Sequence, residues 1–463
     1  MAGNEQFRHL PAVDVVLNNE RIAAILNDGP HEQIVGWIRA GVDACRKSML
    51  TEAEFDSAKA VDFVLKHALE CWRFEQGAQQ QPVINATGIL LHTNLGRACL
   101  ADAAIQRMTT SSGYANVEMN MATGKRNKRG ERVCRLISMA TGAEDAAIVN
   151  NCAAATMLTL QTFAKDKEVI ISRGQLVEIG GGYRLPEVFS ASGAVMKEIG
   201  TTNRTYLRDY ESAISEDTAA IIRVHRSNFY QGGFVTEPDT AELVRLGKKH
   251  NIPVIDDIGS GCMQSLAPIG LEEPTVPESV KSGADVTLFS GDKLFGGPQA
   301  GLIVGTNKWI ETLRRSPMMR ALRVDKVTLA ALEATVELHL KGQASQEIPL
   351  LRMMHTSQDE VRERCQSVLN QLKYSDAFDV EVIDCISEIG GGSVPGSEIR
   401  SSALQIKGPA AERLSTQLRT ASPSILATIR ENTVRLDLRT VRPTEVDQFV
   451  SGINTAFQAM GNS

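Results

Sequence analysis

Apolar and polar positions along the middle of the chain follow two periods. Short runs rich in Val, Ile and other apolar residues have the length and composition of buried strands. They cover residues 145–149, 168–172, 219–225, 252–255, 284–289 and 302–305. Segments with a helical period lie between them, for example residues 240–249. Strands that alternate with helices predict an α/β fold with a mainly parallel sheet, whose functional residues lie at the carboxyl ends of the strands.

The beginning of the chain has a helical pattern only. Residues 34–45 and 61–72 each contain one apolar stripe at helical spacing. Thr51 and Glu54 have the spacing of a capping box at the start of the second helix. A polar run, residues 75–81, follows and is typical of a linker. This part of the chain is therefore predicted to be a small helical unit.

The patterns together predict three domains. A helical N-terminal domain covers residues 1–80, a large α/β domain covers residues 81–345, and a small α/β domain covers residues 346–463. Residues 310–345 are predicted to be helical. The strands predicted in the small domain are residues 381–383, 402–406 and 433–439. No chemistry is predicted for this last domain.

Composition and charge exclude several classes of function. Hydrophobic residues make up 43% and charged residues 22% of the 463 positions, as in a soluble globular protein. No apolar run reaches about 18 residues, so we expect no membrane span. The start of the chain resembles no secretory signal, and the eight cysteines lack metal-binding spacing, which predicts a cytoplasmic protein with reduced thiols and no metal site.

The net charge of −6 argues against indiscriminate binding to nucleic acid, including DNA. The densest positive run covers residues 125–132. Such a run is either a solvated face or a contact for a polyanion, and the sequence leaves both interpretations open.

One lysine stands out by its position. Lys293 lies within residues 290–301, between two predicted strands, and is flanked by glycines that let the backbone approach a ligand closely. Burial favours the neutral amine, because desolvation disfavours the ammonium form. A Schiff base with an aldehyde cofactor requires a neutral amine. The alternative interpretation is a glycine-rich turn with a solvated lysine.

The ends of four predicted strands carry what a pyridoxal phosphate site requires. A helix start would bind the phosphate, and an acid would keep the pyridine nitrogen protonated. We predict Asp257 as this acid, because strand alternation turns Asp256 to the other side of the sheet. The helix start, the acid and the lysine, in this order along the sequence, indicate an aspartate-aminotransferase-like (fold type I) architecture. The predicted cofactor ligands are Lys293, Asp257, Ser290, Asn228 with its neighbour Ser227, and Asn151, Cys152 and Ala153 of the helix start.

Three arginines are candidate ligands for an anionic substrate group. Arg97 ends an apolar segment punctuated by Gly and Asn, where a guanidinium can hold a carboxylate or phosphate through two hydrogen bonds. Arg320 and Arg323 are three residues apart and are expected to share one helical face. The alternative for all three is a surface charge.

These motifs resemble the bacterial selenocysteine synthase family, the L-seryl-tRNA(Sec) selenium transferases. The likeness extends over nearly the whole chain, and the run of residues 290–301 is highly specific for this family and its relatives. The other matching segments are residues 83–85, 91–98, 141–146, 172–174, 176–181, 200–205 and 320–326.

The resemblance implies conversion of L-seryl-tRNA(Sec) to L-selenocysteinyl-tRNA(Sec). Pyridoxal phosphate on Lys293 would support loss of the serine β-hydroxyl to give an aminoacrylyl-tRNA, to which selenophosphate would supply selenium. The resemblance assigns Arg97, Arg320 and Arg323 to the anionic selenium donor. We expect Asp292, beside the lysine, to assist departure of the hydroxyl. The family further implies a homodecamer built from dimers and an N-terminal domain that holds the tRNA.

Two other functions remain open on the sequence. The first is a small-molecule lyase of the same superfamily, which eliminates ammonia or water from an amino acid or an amino sugar phosphate. Such relatives generally lack the N-terminal unit, so residues 1–80 favour the selenium transferase. That unit is acidic overall, which argues against RNA binding through charge alone. The second is a non-catalytic tRNA-binding paralogue, which the presence of Lys293 and Asp257 disfavours.

Overall fold

The structure is a computed structural model that describes residues 6–49, 56–408 and 410–461. The contacts divide the chain into two units, Met1–Pro82 and Val83–Ser463. The capping box predicted at Thr51 and Glu54 lies outside the described residues. The division into three domains with boundaries after residues 80 and 345 stays a prediction.

The first unit consists of helices around a core of its own. Ile34, Ile38 and Cys45 from one predicted stripe and Val64 and Ala68 from the other are buried together. The two stripes therefore face each other, as their helical spacing predicts. The helices are α1 (Val13–Leu17), α2 (Glu20–Leu26), α3 (His31–Ser48) and α4 (Ser57–Ala78).

A seven-stranded sheet forms the centre of the second unit, in the order β2-β10-β9-β8-β7-β3-β6. Strand β10 is antiparallel to both of its neighbours, and the other pairs are parallel. The mainly parallel α/β sheet predicted from the sequence is therefore confirmed. The strands of this sheet are β2 (Asp145–Val149), β3 (Glu168–Ser172), β6 (Val195–Ile199), β7 (Thr218–Val224), β8 (Val254–Gly259), β9 (Val286–Ser290) and β10 (Gly301–Gly305). Outside it lie strand β1 (Val83–Asn85) and a short hairpin of β4 (Glu178–Ile179) and β5 (Tyr183–Arg184).

Helices connect these strands and cover both faces of the sheet, and apolar side chains fill the space between. Several helices begin at residues whose side chains accept from free backbone N–H groups, such as Asp239 before α10. The helices up to the end of the sheet are α5 (Asp102–Ser111), α6 (Glu131–Thr141), α7 (Cys152–Ala164), α8 (Leu185–Ser192), α9 (Leu207–Ala213), α10 (Thr240–His250) and α11 (Val276–Lys281).

The helical segment predicted over residues 310–345 is divided into several helices. The segment forms α12 (Asn307–Arg315), α13 (Pro317–Ala321) and α14 (Lys326–Leu340). Proline at the first position of α13 favours a new helix start. Asp325 starts α14 by accepting from the backbone N–H groups of its second and third residues, at 2.6 and 2.9 Å. Arg323 lies between helices, so Arg320 and Arg323 do not share a helical face.

The C-terminal part contains a second, antiparallel sheet with the order β11-β12-β15-β14. Its strands include the three predicted segments. Strand β1 pairs in parallel with β13, which ties the beginning of the second unit to its end. The elements are α15 (Ala344–Glu347), α16 (Pro349–His355), α17 (Gln358–Leu369), β11 (Asp379–Ser387), β12 (Ile399–Lys407), α18 (Ala411–Thr420), β13 (Ser424–Leu426), β14 (Thr428–Arg430), β15 (Thr433–Asp437) and α19 (Val446–Gly461).

Among the described helices, none has the length and hydropathy that crossing a bilayer would require.

Candidate active site

Lys293 lies in the loop that joins β9 to β10, and only 6% of its surface is exposed. Backbone hydrogen bonds close the loop, from Gly291 N to Ala300 O at 2.8 Å and from Gly297 N to Gly291 O at 2.7 Å. Gly296 has a φ of +73°, a conformation that glycine adopts without steric cost. The alternative of a solvated lysine on a surface turn is therefore wrong.

Asp257 is a buried acid close to Lys293. Its Oδ2 accepts a hydrogen bond from Thr156 Oγ1 at 3.1 Å, and its Oδ1 lies 3.8 Å from Cys152 Sγ. Burial raises the pKa of Asp257 to about 6, against the smaller opposing effects of the Thr156 hydrogen bond and the charge of Lys293. Asp257 is thus close enough to Lys293 for the two charges to interact.

Asp256 has different partners, as strand alternation predicts. One of its oxygens forms an ion pair with Arg223 at 3.1 Å, and the other accepts from Ser279 at 2.6 Å. These contacts hold Asp256 in a structural network. Of the two adjacent acids, Asp257 is the one beside Lys293.

Helix α7 begins beside Asp257. Asn151 caps the helix, because its side-chain oxygen accepts from Ala154 N at 2.8 Å. The first turn of any α-helix leaves backbone N–H groups without partners in the helix, so Cys152 and Ala153 present donors suited to a phosphate. Burial and the Asp257 carboxylate raise the pKa of the Cys152 thiol well above its ordinary value. Cys152 is therefore a neutral thiol at neutral pH.

Asp292 connects Ser290 and Arg97. Its Oδ1 accepts from the Ser290 hydroxyl at 2.7 Å, and its Oδ2 forms an ion pair with Arg97 Nη1 at 2.8 Å. Asp292 is 5% exposed, whereas the Arg97 side chain retains 31% of its surface. Arg97 adopts a φ of +65°, which is uncommon for a residue with a side chain and frequent at functional sites. The guanidinium predicted to bind a substrate anion is thus paired with a carboxylate beside the lysine.

A glycine-rich loop from the C-terminal part reaches the lysine. A Cβ on Gly392 would lie 2.7 Å from Lys293 Nζ, so only glycine fits there without displacing the amine. The loop is held by Glu273, whose Oε2 accepts from Val394 N at 3.1 Å and whose Oε1 lies 3.3 Å from His225 Nε2. No chemistry was predicted for the C-terminal part of the chain. The position of its Gly392, next to the lysine amine, argues against that expectation.

A cavity of about 510 Å³ lies beside this loop. Its lining includes His92, Ser227, Asn228 and the glycine pair Gly390–Gly391. The Asn228 side chain is exposed and donates to Glu178 O at 2.6 Å. Asn228 therefore lies at the edge of the cavity.

Arg320 and Arg323 line another cleft, with a volume of about 1340 Å³. Among the described residues, neither forms a salt bridge with a carboxylate. Asn150 N, next to the start of α7, donates to Leu322 O at 2.9 Å, which ties this segment to the proposed phosphate site. The structure thus brings together Lys293, Asp257, Cys152, Asp292, Ser290 and Arg97, and it places Arg320 and Arg323 in a separate cleft.

Residues 126–131 of the basic run line the same cleft, and the positive charge of the run is partly neutralised. Arg126 and Arg129 form ion pairs with Glu118, and Arg132 forms ion pairs with Glu333 and Glu337. Arg129 also donates to Val324 O at 2.7 Å. Much of this run therefore stabilises the walls of the cleft. No three His, Cys, Asp or Glu side chains of the described segments are grouped as a metal would require.

The family is established by comparison with known proteins. Residues 83–442 match the family model described as L-seryl-tRNA selenium transferase, and residues 7–46 match the model of the selenocysteine synthase N terminus. The chain belongs to the L-seryl-tRNA selenium transferase family. It is 44% identical to the L-seryl-tRNA(Sec) selenium transferase of Alkaliphilus oremlandii, with 98% of this chain and 99% of that protein covered. The corresponding protein of Alkaliphilus metalliredigens is 42% identical, with coverages of 96% and 97%.

Among solved structures, D-glucosaminate-6-phosphate ammonia-lyase has a similar fold, with a TM-score of 0.55. Its sequence is 19% identical, and the match covers 83% of this chain and 98% of that chain. This likeness supports the predicted fold and carries no information on the substrate. The full-length relatives, by contrast, disfavour the small-molecule lyase and the non-catalytic paralogue as functions of this family member.

Several residues around Lys293 and Asp257 were not predicted from the sequence. Thr156 donates to Asp257 from one turn inside α7, and Gly392 approaches Lys293 from a distant part of the chain. Burial and the nearby Asp257 carboxylate raise the pKa of Tyr183. A helical spacing of four residues after Cys152 could have indicated Thr156. The positions of Gly392 and Tyr183 depend on tertiary contacts that the sequence pattern does not contain.

The raised pKa of Asp257 predicts a pH-dependent stability of the cofactor-free protein. Ionisation of Asp257 is easier in the unfolded chain, whose pKa is near 3.8, than in the folded protein, where it is about 6. Stability therefore decreases as the pH rises from about 4 to 6, and a shift of about two units corresponds to about 3 kcal/mol. Asp257→Asn should increase the free energy of unfolding at pH 8 by up to about 3 kcal/mol, with little gain at pH 4.

Urea denaturation at the two pH values measures this effect. The matched control is Asp256→Asn, which breaks the ion pair with Arg223 and should lower stability at pH 8. An Asp257→Asn protein that is less stable than the parent at pH 8 would contradict the proposed burial of an unfavourable charge.

Proposed function

We propose that the chain converts L-seryl-tRNA(Sec) to L-selenocysteinyl-tRNA(Sec), using pyridoxal phosphate bound to Lys293. The full-length similarity to L-seryl-tRNA(Sec) selenium transferases is the observation that carries this proposal. The buried lysine and acid supply the groups that the chemistry requires. The selenium donor is proposed to be selenophosphate, and the protein is proposed to act in the cytoplasm as a homodecamer built from five dimers.

The residues around Lys293 fit the cofactor. A Cβ on Gly259 would lie 3.8 Å from Ser227 Oγ and 3.9 Å from Asp257 Oδ1, so the absent side chain leaves space in front of the acid. Asp257 would hold a proton on the pyridine nitrogen. The N–H groups at the start of α7, at Asn151, Cys152 and Ala153, would bind the phosphate. Asn228 and the Ser290 hydroxyl are proposed as further polar contacts.

Pyridoxal phosphate supplies an electron-withdrawing ring that stabilises negative charge at the α-carbon of an attached amino acid. Lys293 is proposed to hold the cofactor until the serine amine replaces it. Asp292, whose carboxylate already accepts from Ser290 and Arg97, is proposed to assist departure of the serine hydroxyl. The glycine loop at Gly392 would exclude water from the amine.

The arginines are proposed to bind the selenium donor. Guanidinium groups recognise phosphate-like anions through paired hydrogen bonds. Arg97 can exchange its bond with Asp292 for one with an anion, because both partners are negatively charged oxygens. Arg320 and Arg323 form no salt bridge within the described part of the chain and are available to a phosphate-like anion in their own cleft.

The first experiment identifies the product. We expect seryl-tRNA(Sec), selenophosphate and the purified protein to yield selenocysteinyl-tRNA, detected by mass spectrometry of the released amino acid. Lys293→Ala should lower the rate about a thousandfold or more, because it removes the amine that links the cofactor. Lys281→Ala, which changes an exposed lysine, is the control. Unchanged serine on the tRNA, with ammonia or water released from a small amino compound, would support a lyase.

The second experiment tests the N-terminal domain. We propose that residues 1–80 hold the tRNA, since the family's N-terminal model matches residues 7–46. Deletion of residues 1–80 should abolish binding of seryl-tRNA(Sec) and leave the cofactor bound, because the buried site lies within residues 83–463. Filter binding and the absorbance of bound pyridoxal phosphate measure the two properties. Unchanged tRNA affinity of the shortened protein would exclude this role.

A further inference from the structure

The glycine-rich loop beside Lys293 covers residues 390–396, and the backbone fixes its first end. Leu91 N donates to Ile389 O at 2.7 Å, directly before the loop. A Cβ on Gly390 would lie 2.7 Å from Leu91 O, so the first glycine packs closely on this neighbouring segment. The loop therefore begins at a defined position.

Val394, two residues beyond Gly392, has an unusual backbone conformation. Its φ is +44°, which a β-branched residue rarely adopts, because its Cβ then approaches a backbone carbonyl oxygen. The Val394 side chain is buried in the apolar cluster that also contains Leu294, the neighbour of Lys293. A conformation of this cost persists only where the surrounding structure enforces it.

The Glu273 carboxylate supplies such a restraint. Its Oε2 accepts from Val394 N at 3.1 Å, and its Oε1 lies 3.3 Å from His225 Nε2. Only 1% of the Glu273 side chain is exposed, so water cannot readily replace these contacts. Burial of a carboxylate is costly, and the proposed reaction gives this one no other task. Glu273 therefore fixes the second end of the loop.

Gly392 lies between the two fixed ends and touches the amine. A Cβ at this position would lie 2.7 Å from Lys293 Nζ and 3.0 Å from Lys293 Cε. The backbone of Gly392 thus forms a wall against the end of the lysine side chain. Because a lysine amine is carried on a flexible four-carbon stem, such a wall limits the positions that the amine can occupy.

We propose that Glu273 is a positioning residue for Lys293. By holding Val394 in its left-handed conformation, Glu273 keeps Gly392 against the amine and confines the amine before a cofactor attaches. A group that is already confined loses less conformational entropy on binding, so its affinity for the ligand is higher.

This inference rests on the proposed attachment of pyridoxal phosphate to Lys293. In that attachment the amine nitrogen forms a double bond to the aldehyde carbon, and the two hydrogens of the neutral amine leave with the aldehyde oxygen as water. The confined amine is the reacting group, and Glu273 acts on it through the loop without touching the cofactor.

Two conservative substitutions separate the hydrogen bond of Glu273 from its charge. Glu273→Asp keeps the negative charge but draws the oxygens back by one methylene group, so the contact with Val394 N should be lost. Glu273→Gln removes the charge and keeps an oxygen that can reach Val394 N. We expect Glu273→Asp to release the loop and Glu273→Gln to resemble the parent protein. If Glu273 acted only as a charged partner of His225, the order would be reversed.

Two measurements on the full-length protein, freed of cofactor, follow the loop and the amine. In Glu273→Asp, the amides of residues 390–396 should exchange hydrogen about tenfold faster, which is about the effect of one hydrogen bond to a charged group. Titration with pyridoxal phosphate, followed by absorbance, should show an affinity about tenfold weaker. Glu272→Ala changes the exposed neighbouring glutamate and is the matched control, which should alter neither property.

A double-mutant cycle tests whether Glu273 acts on the amine through the loop. Gly392→Ala places a methyl group 2.7 Å from Lys293 Nζ and should by itself weaken the affinity for pyridoxal phosphate. In Glu273→Asp the released loop can carry this methyl group away from the amine. Gly392→Ala should therefore have a smaller effect in the Glu273→Asp background than in the parent protein.

Several results would overturn the inference. They are an unchanged loop exchange or cofactor affinity in Glu273→Asp, a loss in Glu273→Gln as large as in Glu273→Asp, additive effects in the cycle, and faster exchange throughout the chain, which would indicate a general loss of stability. If the parent protein attaches pyridoxal phosphate to Lys293 while any of these occurs, only this inference fails. If the parent protein attaches none, the proposed function itself fails.

Discussion

Burial of two ionisable side chains close to each other, Lys293 and Asp257, is the constraint on which the rest of the site depends. Removing a charged group from water costs several kcal/mol unless a partner compensates for it. Here Thr156 donates to Asp257, and the charge of Lys293 favours the ionised carboxylate. The pKa of Asp257 nevertheless stays near 6. The surroundings of Asp257 are therefore suited to a bound cation, such as a protonated pyridine ring, that would complete the compensation.

The parallel sheet explains how these residues meet. Asp257 belongs to β8, Lys293 follows β9, and α7 begins directly after β2, so their positions follow from the carboxyl ends of strands. Strands with continuous apolar runs and glycine-rich turns could be predicted from the sequence, and the choice between Asp256 and Asp257 followed from alternation. Strand β6 was not predicted, because it lies at the edge of the sheet and carries exposed charged residues.

Contacts between distant segments could not be predicted in the same way. Arg97 and Asp292 are separated by 195 residues, and only the folded chain shows that they form an ion pair. The same applies to Gly392, which comes from a part of the chain where the pattern indicated no chemistry. The segment predicted as helical over residues 310–345 is divided because Pro317 and Asp325 each start a new helix.

The central claim is that Lys293 carries the cofactor. Borohydride reduction of the cofactor-loaded protein fixes pyridoxal phosphate to the amine that holds it, and peptide mass spectrometry then locates the modified residue. The account predicts one modified lysine, at position 293, and none in Lys293→Ala. Attachment to another lysine, or no covalent attachment in the parent protein, would contradict it.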